Sequence, residues 1–344
     1  MQRRTFSAVL IAPVLPAPAG KIGVAVIGTG HGHAISKIRA LRGMSEYNLA
    51  GVCAHPGEPA DSDALRGLKW LPLKQALDDP AIELVAIESA DVNRNLDYAE
   101  QCVQAGKFVH LDKPPGADLA RLRSLFAEAA RRKRVVQMGY QWRYHPAFQA
   151  VMEAARQGWL GRLYRFRASI DKLILADERR LLAKFRGGMM FSEGCHLIDC
   201  AVAVLGKPRK VTGIPRHDGA LPDQLADNTL AILEYDRALA EISLAGFHPN
   251  GTSHRFVEIS GSNGSARLQP YVFPSRLTVD LAEAAGPYKA GLQTIDLAAP
   301  PGPGYTPDFR EMAAVIRGGS RATYSVEHDL NTHETLLRVC GMLG

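Results

Sequence analysis

Glu193, His196 and Asp199 recur every third residue in the otherwise apolar stretch GGMMFSEGCHLID, residues 187–199. On a helix that spacing places all three on one side. Desolvating three ionisable groups in a row is unfavourable unless each has a partner or a task. The chemistry such a row offers is proton transfer, because an imidazole titrates near neutrality and a neighbouring carboxylate can orient it. Glu193, a helical neighbour of His196, is the expected orienting acid. Asp199 is expected to hold structure or a substrate hydroxyl. A core polar cluster and a three-ligand metal site with one open position are the alternatives. No HExxH and no clustered cysteines accompany the row, so no metal is expected. A further candidate is Lys113, which closes the apolar run FVHLD ahead of two prolines.

These residues need elements to position them. From Lys21 short β-rich runs alternate with helical patterns: IGVAVI, a helix to Leu41, LAGVCA, a helix near 73–79, LVAIES, a helix near 95–105, FVHL, the helix DLARLRSLFAEAARRKR, and VVQMG. Nearly continuous apolar strands in βα alternation predict a parallel sheet covered on both faces, ending near residue 140. The first strand runs into GTGHGHAI, where Gly28 and Gly30 have the spacing that lets backbone approach a diphosphate at a helix N-terminus. His33 stands at the third glycine position. The second strand ends in Ala54-His55 where an acid for a ribose is expected, which leaves a 2′-phosphate tolerable. Lys113 falls at the carboxyl edge of this sheet, where ligands bind.

After a helix over about 145–157 the pattern changes to strands joined by turns, with an Asn263-Gly264 hairpin signal between RFVEIS and SARLQP. Two helices close the chain, and His328 and His333 are expected on a solvated face of the last one. The second domain reads as α+β, a mostly antiparallel sheet whose open face could cover the first domain's ligand.

Length and composition narrow the classes. At 344 residues with 46% apolar and 22% charged residues, the chain reads as a two-domain globular protein. No apolar run is long enough to span a membrane. The net charge of +6 is mild, and its densest cluster, Arg131 to Arg134, ends a helix where cations complement the dipole, so no nucleic-acid surface is expected. Cys53, Cys102, Cys195, Cys200 and Cys340 form no CxxC, and no disulfide framework is expected. Residues 1–20 place Arg3-Arg4 before a short apolar run and Ala17-Pro18-Ala19, the order of an export signal, similar to a twin-arginine one; a cytoplasmic protein with a frayed tail is the alternative.

Together GTGHGH, FVHLDKPP, GYQWRYHP and GGMMFSEGCHLID, in this order, resemble the Gfo/Idh/MocA family of dinucleotide-dependent sugar oxidoreductases across nearly the whole chain after Lys21. The resemblance implies a Rossmann domain over 21–141 and an α+β substrate and oligomerisation domain over 142–344. It also implies bound NAD or NADP, oxidation of a secondary hydroxyl of a sugar or polyol, and a dimer or tetramer. The family's Glu-Lys-Pro falls on Asp112-Lys113-Pro114, which makes Lys113 the lysine beside nicotinamide and substrate, and His196 matches the family's base. Cofactor contacts are implied at Gly28, Thr29, Gly30, His31, Gly32, Ala54, Ser89, Asp112, Lys113 and Arg143. Two departures stand out: Ser192 occupies the position of the family's acid, with Glu193 one residue later, and Asn95 replaces its usual histidine. They leave a non-catalytic carbohydrate-binding member open, while the export signal, taken with the resemblance, implies a retained dinucleotide recycled within one turnover, as in a redox-neutral glycosidase that retains its NAD.

Overall fold

A computed structural model describes residues 20–58, 63–299 and 304–343. The expected export segment lies, apart from Gly20, outside the described residues. The first half alternates β1 (Ile22–Ile27), α1 (Ala34–Gly43), β2 (Tyr47–Cys53), α2 (Leu73–Asp78), β3 (Ile82–Ile87), α3 (Val92–Gln104), β4 (Phe108–Leu111), α4 (Leu119–Arg131) and β5 (Val136–Met138). All strand pairs are parallel, in the order β2-β1-β3-β4-β5. Every residue of β1 is buried, as a strand covered on both faces requires. The order reverses direction beside β1, so the loops after β1 and β3 diverge and leave a crevice at their carboxyl ends. The Arg131–Arg134 cluster is structural here: Arg131 and Arg132 pair with Glu128, and Arg134 lies over the Phe108 ring.

The chain continues through α5 (Pro146–Arg156), β6 (Leu163–Asp171), α6 (Ala176–Leu182), a π-helical turn over Met190–Gly194 and α7 (Cys195–Leu205). Then come β7 (Lys210–Arg216), β8 (Asn228–Glu234), β9 (Leu239–Ala245), β10 (Phe256–Gly261), β11 (Gly264–Leu268), β12 (Ser275–Leu281) and β13 (Gly291–Leu297). These eight strands form one sheet in the order β13-β12-β11-β10-β6-β9-β8-β7, antiparallel except for β6 against β9. Burial alternates along β8 and β10, so one face is core and the other half-exposed. The buried face packs on α5 and α7, and the π turn before α7 meets the end of β4 through Ser192 and Lys113.

The last two helices, α8 (Thr306–Ile316) and α9 (Val326–Val339), part company. α9 packs on α7 and β7. α8 returns to the first sheet, where Tyr305, Phe309, Met312 and Ala313 join Ile22, Val24, Leu41 and Tyr47 in one core and the Tyr47 hydroxyl donates to the Phe309 carbonyl at 2.6 Å. The second domain thus does not hold all of 142–344. One face of the β1–β2 layer needs an apolar cover, and burying Phe309 there contributes about 1.5–3 kcal/mol. No helix among the described residues is long and apolar enough to cross a membrane, and all five cysteines are buried.

Candidate active site

The crevice is lined by backbone donors. Gly28 adopts φ +83°, and a Cβ there would lie 2.7 Å from the Ser89 backbone, so only glycine lets the two loops meet this closely. The amides of Thr29 and Gly30, just before α1, point at one spot together with the amide of Ala90. A carboxylate already sits there: Glu58 Oε2 accepts from Thr29 N at 2.6 Å and Gly30 N at 2.9 Å, and Oε1 accepts from Ala90 N at 2.7 Å. An anion in that position is the fit test for a dinucleotide diphosphate, whose oxygens need the same donors. Nothing in the sequence singled out Glu58. Ala54, exposed just past the end of β2, carries no acid, and the turn four residues later brings the Glu58 carboxylate to these amides instead. Ser89 is buried, its hydroxyl accepting from Asp91 N, and Asn95 donates to the Ser89 carbonyl, so both brace this loop.

Beneath the glycine turn lies a charged cluster. Lys37, fully buried, donates to Glu88 and to Asp112 at 2.7 Å each. Burial opposes the ammonium charge, but Asp112 and then Glu88 outweigh it and raise the lysine's pKa. Burial lifts Glu88 to about 8 against the pull of Lys37. Asp112 is held far below the usual carboxylate range, because His31, Lys37 and His33 overcome its burial. His31 Nδ1 lies 2.8 Å and His33 Nδ1 3.2 Å from Asp112 Oδ2. Burial takes His33 down to about 4, so its ring is neutral near pH 7. Of the contacts predicted for this region, Gly28, Thr29 and Gly30 form the cradle and His31 and Asp112 form its floor, while Gly32 is exposed at the turn. Lys37 went unread in the sequence; its signal was a lysine on the face of α1 that buries Ile38 and Leu41.

His31, His33 and Asp112 are also the only histidine, cysteine or acid group among the described residues with the dimensions of a metal site, their ligand atoms lying within 4.8 Å of one another. The Lys37 ammonium on the same carboxylate disfavours a second cation there.

Lys113 and His196 meet across the domains. Lys113 is buried and donates from Nζ to the Ser192 carbonyl at 2.9 Å, which ties the end of β4 to the π turn. His196, in the first turn of α7, stacks on Trp142 with ring centroids 4.4 Å apart. Burial, then the charges of Lys113 and His33, pull its pKa well below the ordinary value, so it is a neutral imidazole. Its Nδ1 is sealed in protein and has no partner among the described residues.

Glu193 does not orient that ring. Its Oε1 lies 3.1 Å from Lys172 Nζ, and Lys172 also pairs with Glu178. Burial alone would raise Glu193, but Lys113, Lys172 and His196 bring it down to about 2. The cause is local: the π turn inserts a residue ahead of α7 and swings Glu193 toward β6. Glu193 therefore contributes negative charge near Lys113 and His196, without a hydrogen bond to the imidazole.

Asp199 and Arg143 bind each other. Arg143 donates to Asp199 through Nε at 2.9 Å and Nη2 at 2.6 Å, and Nη2 also reaches Asp329 at 2.5 Å. His328 Nε2 lies 2.8 Å from Asp199, and His333 is almost fully buried. The expected solvated face is corrected for both, His333 to the interior and His328 to a half-buried position against Asp199, because α9 packs its inner face on α7. Arg143, expected among the cofactor contacts, is buried, with its guanidinium committed to this network and lying over the rings of Tyr140 and Tyr324. Glu193, His196 and Asp199 thus face three different partners and do not converge on one ion.

A glycine-turn cradle at the switch point of a parallel sheet, faced by a lysine and a neutral histidine, defines a dinucleotide-binding oxidoreductase site. Residues 22–140 match the family model described as "Oxidoreductase family, NAD-binding Rossmann fold", and residues 148–267 match the GFO/IDH/MocA C-terminal domain. The chain belongs to the Gfo/Idh/MocA family of oxidoreductases, and its first domain is an NAD-binding Rossmann domain. It is 29% identical over 187 residues to trans-1,2-dihydrobenzene-1,2-diol dehydrogenase of Bos taurus, covering 52% of each chain, so the match spans about half the length of that relative. Among solved structures it is similar to GenD2 from gentamicin A biosynthesis in complex with NAD, with TM-score 0.76, 22% identity and coverage of 96% of this chain and 97% of the other. It is also similar to an oxidoreductase of Desulfitobacterium hafniense described as NADPH-dependent, with TM-score 0.74, 17% identity and coverage of 94% and 95%. At these identities the two structures show a shared fold.

Proposed function

We propose that this protein is an NAD(P)-dependent oxidoreductase acting on a secondary hydroxyl of a sugar or polyol. The observation that carries this reading is the pairing of Lys113 with the His196 segment through the Ser192 carbonyl, beside a three-amide anion cradle. Bound dinucleotide supplies the hydride acceptor. Lys113 Nζ holds the substrate oxygen and stabilises its developing negative charge. His196, kept neutral by burial and Lys113, takes the hydroxyl proton on Nε2, since Nδ1 is sealed in protein. Stacking on Trp142 fixes the plane of the ring in place of an orienting carboxylate. A dihydrodiol dehydrogenase among the relatives is in keeping with a CH–OH donor.

The test is turnover of a panel of sugars, inositols and vicinal diols with NAD and NADP, followed at 340 nm, with direct titration of both reduced cofactors. Absence of binding by either cofactor overturns the reading. A second reading, a carbohydrate-binding member that has lost the reaction, is favoured by the absence, among the described residues, of a hydrogen-bonded acid on His196 Nδ1. It requires sugar binding with no reduction of cofactor by any substrate, and a single productive sugar ends it. We also read residues 1–20 as an export signal, which fits a tightly retained, internally recycled dinucleotide. Protein purified without added cofactor should then carry NAD or NADP, and its rapid loss on dialysis argues for an ordinary dehydrogenase. Assembly into dimers or tetramers through the half-exposed sheet face is checked by sizing at low micromolar concentration, where a clean monomer refutes it.

A further inference from the structure

We propose that Glu58 is an internal competitor for the dinucleotide: its carboxylate occupies the diphosphate subsite and must be displaced before the cofactor can bind. Three backbone donors from two loops, Thr29 N, Gly30 N and Ala90 N, converge on its two oxygens at 2.6, 2.9 and 2.7 Å. Thr29 and Gly30 belong to the glycine turn with which a Rossmann domain receives a diphosphate, and Ala90 adds a donor from the facing loop. Carboxylate and diphosphate cannot share them, because both are anions and each amide has a single hydrogen to give.

The arrangement is built rather than incidental. Glu58 ends a turn closed by its own amide donating to the His55 carbonyl at 3.2 Å, and His55 Nδ1 is pinned to the Tyr98 hydroxyl of α3 at 2.9 Å. The turn therefore presents the carboxylate from a fixed base. A Cβ on Gly30 would come within 2.7 Å of the Glu58 side chain, so the close approach that glycine allows a ligand is used here by the protein itself. Beside the carboxylate lies a cavity of about 360 Å³ lined by His55, Glu58, Ala90, Asp91 and Lys184, among others. It gives a displaced side chain room to turn without unfolding the loop. The acid absent from the end of β2 thus returns as a group that holds the subsite in the free protein.

The competitor lowers apparent affinity by the fraction of molecules whose cradle is open. Removing it should tighten binding of every ligand that carries the diphosphate and leave ligands without it unchanged. The experiment titrates NADH, NADPH, ADP-ribose and adenosine into wild-type protein, Glu58→Gln and Glu58→Ala, by fluorescence or calorimetry, with bound cofactor first removed. For Glu58→Ala the expected gain is roughly tenfold for NADH and ADP-ribose, about 1.4 kcal/mol, with none for adenosine. Glu58→Gln should fall between, since a neutral acceptor makes bonds about half as strong as a charged one. Unchanged NADH binding in a folded variant overturns the proposal, and weaker binding overturns it and makes Glu58 a ligand of the cofactor. If Glu58→Ala melts below the assay temperature, Glu58→Gln decides alone. Binding that is equal in all forms defeats only the role of Glu58, whereas no binding by any form defeats the dinucleotide site and the proposal with it.

Discussion

Replacing Asp199 by asparagine separates a structural role from a catalytic one. Asp199 is buried and accepts two hydrogen bonds from Arg143 and a longer one from the Thr332 hydroxyl, beside its contact with His328. The amide is isosteric, keeps one acceptor oxygen and removes the charge. Among the described residues Arg143 is then left with Asp329 as its only anion. A hydrogen bond to a charged partner is worth about 1.5–3 kcal/mol net, so the loss should be about 2–3 kcal/mol. Arg143→Met should be worse, about 3–5 kcal/mol, because it leaves Asp199 and Asp329 buried against each other without their shared cation. For a protein of this size the first change lowers Tm by roughly 5 °C, taking about 2 °C per kcal/mol. Urea and thermal unfolding measure the loss, and NADH titration with steady-state turnover measures function on the same samples. The expected result is reduced stability with kcat/KM within about threefold of wild type below the transition. Wild-type stability combined with loss of turnover would refute the reasoning and place Asp199 on the substrate.

The same carboxylate sets a pH dependence. Burial would raise its pKa, but Arg143 and His328 hold it below the ordinary value, so its stabilisation is complete above the unfolded pKa of about 3.9 and is lost as pH falls through the folded one. The stability gap between wild type and Asp199→Asn should therefore be constant from about pH 5 to 7 and shrink below about pH 4; a gap that widens on acidification contradicts the assignment. Lys113→Met should lower kcat by about 10²–10³ with little change in dinucleotide affinity, and equal loss in both would make it a cofactor anchor only. His196→Asn should lower kcat by about 10²–10⁴ and flatten the acid limb of the rate profile, and retained activity would remove it as the base. Gly28→Ala places a Cβ 2.7 Å from the Ser89 backbone at φ +83°, so it should destabilise by about 1–3 kcal/mol and abolish measurable NADH binding. A normal Kd in that variant would show that the two loops do not need their close approach.

Much of this protein is settled by local patterning. The continuous apolar runs of β1, β3 and β4 and the helical periods between them specify a parallel sheet, because burial on both faces leaves no polar alternation to read. GTG at the end of β1 and Lys113 at the end of β4 follow directly, since a strand's carboxyl end is set by where its run stops. Asn263-Gly264 predicts the β10–β11 hairpin for a similarly local reason, the backbone freedom of the turn. The partners of the charged side chains were decided only by the folded chain. Glu58 reaches amides about thirty residues away on either side, His328 reaches Asp199 from the last helix, and α8 crosses back to the first sheet. Even Glu193, three residues from His196, turns to Lys172 because one π turn rotates the helix start. Periodicity reports which face of an element is apolar and carries no record of which distant element will cover it. Ion pairs are chosen at that second step, when packing brings separate faces together and each buried charge must find a partner.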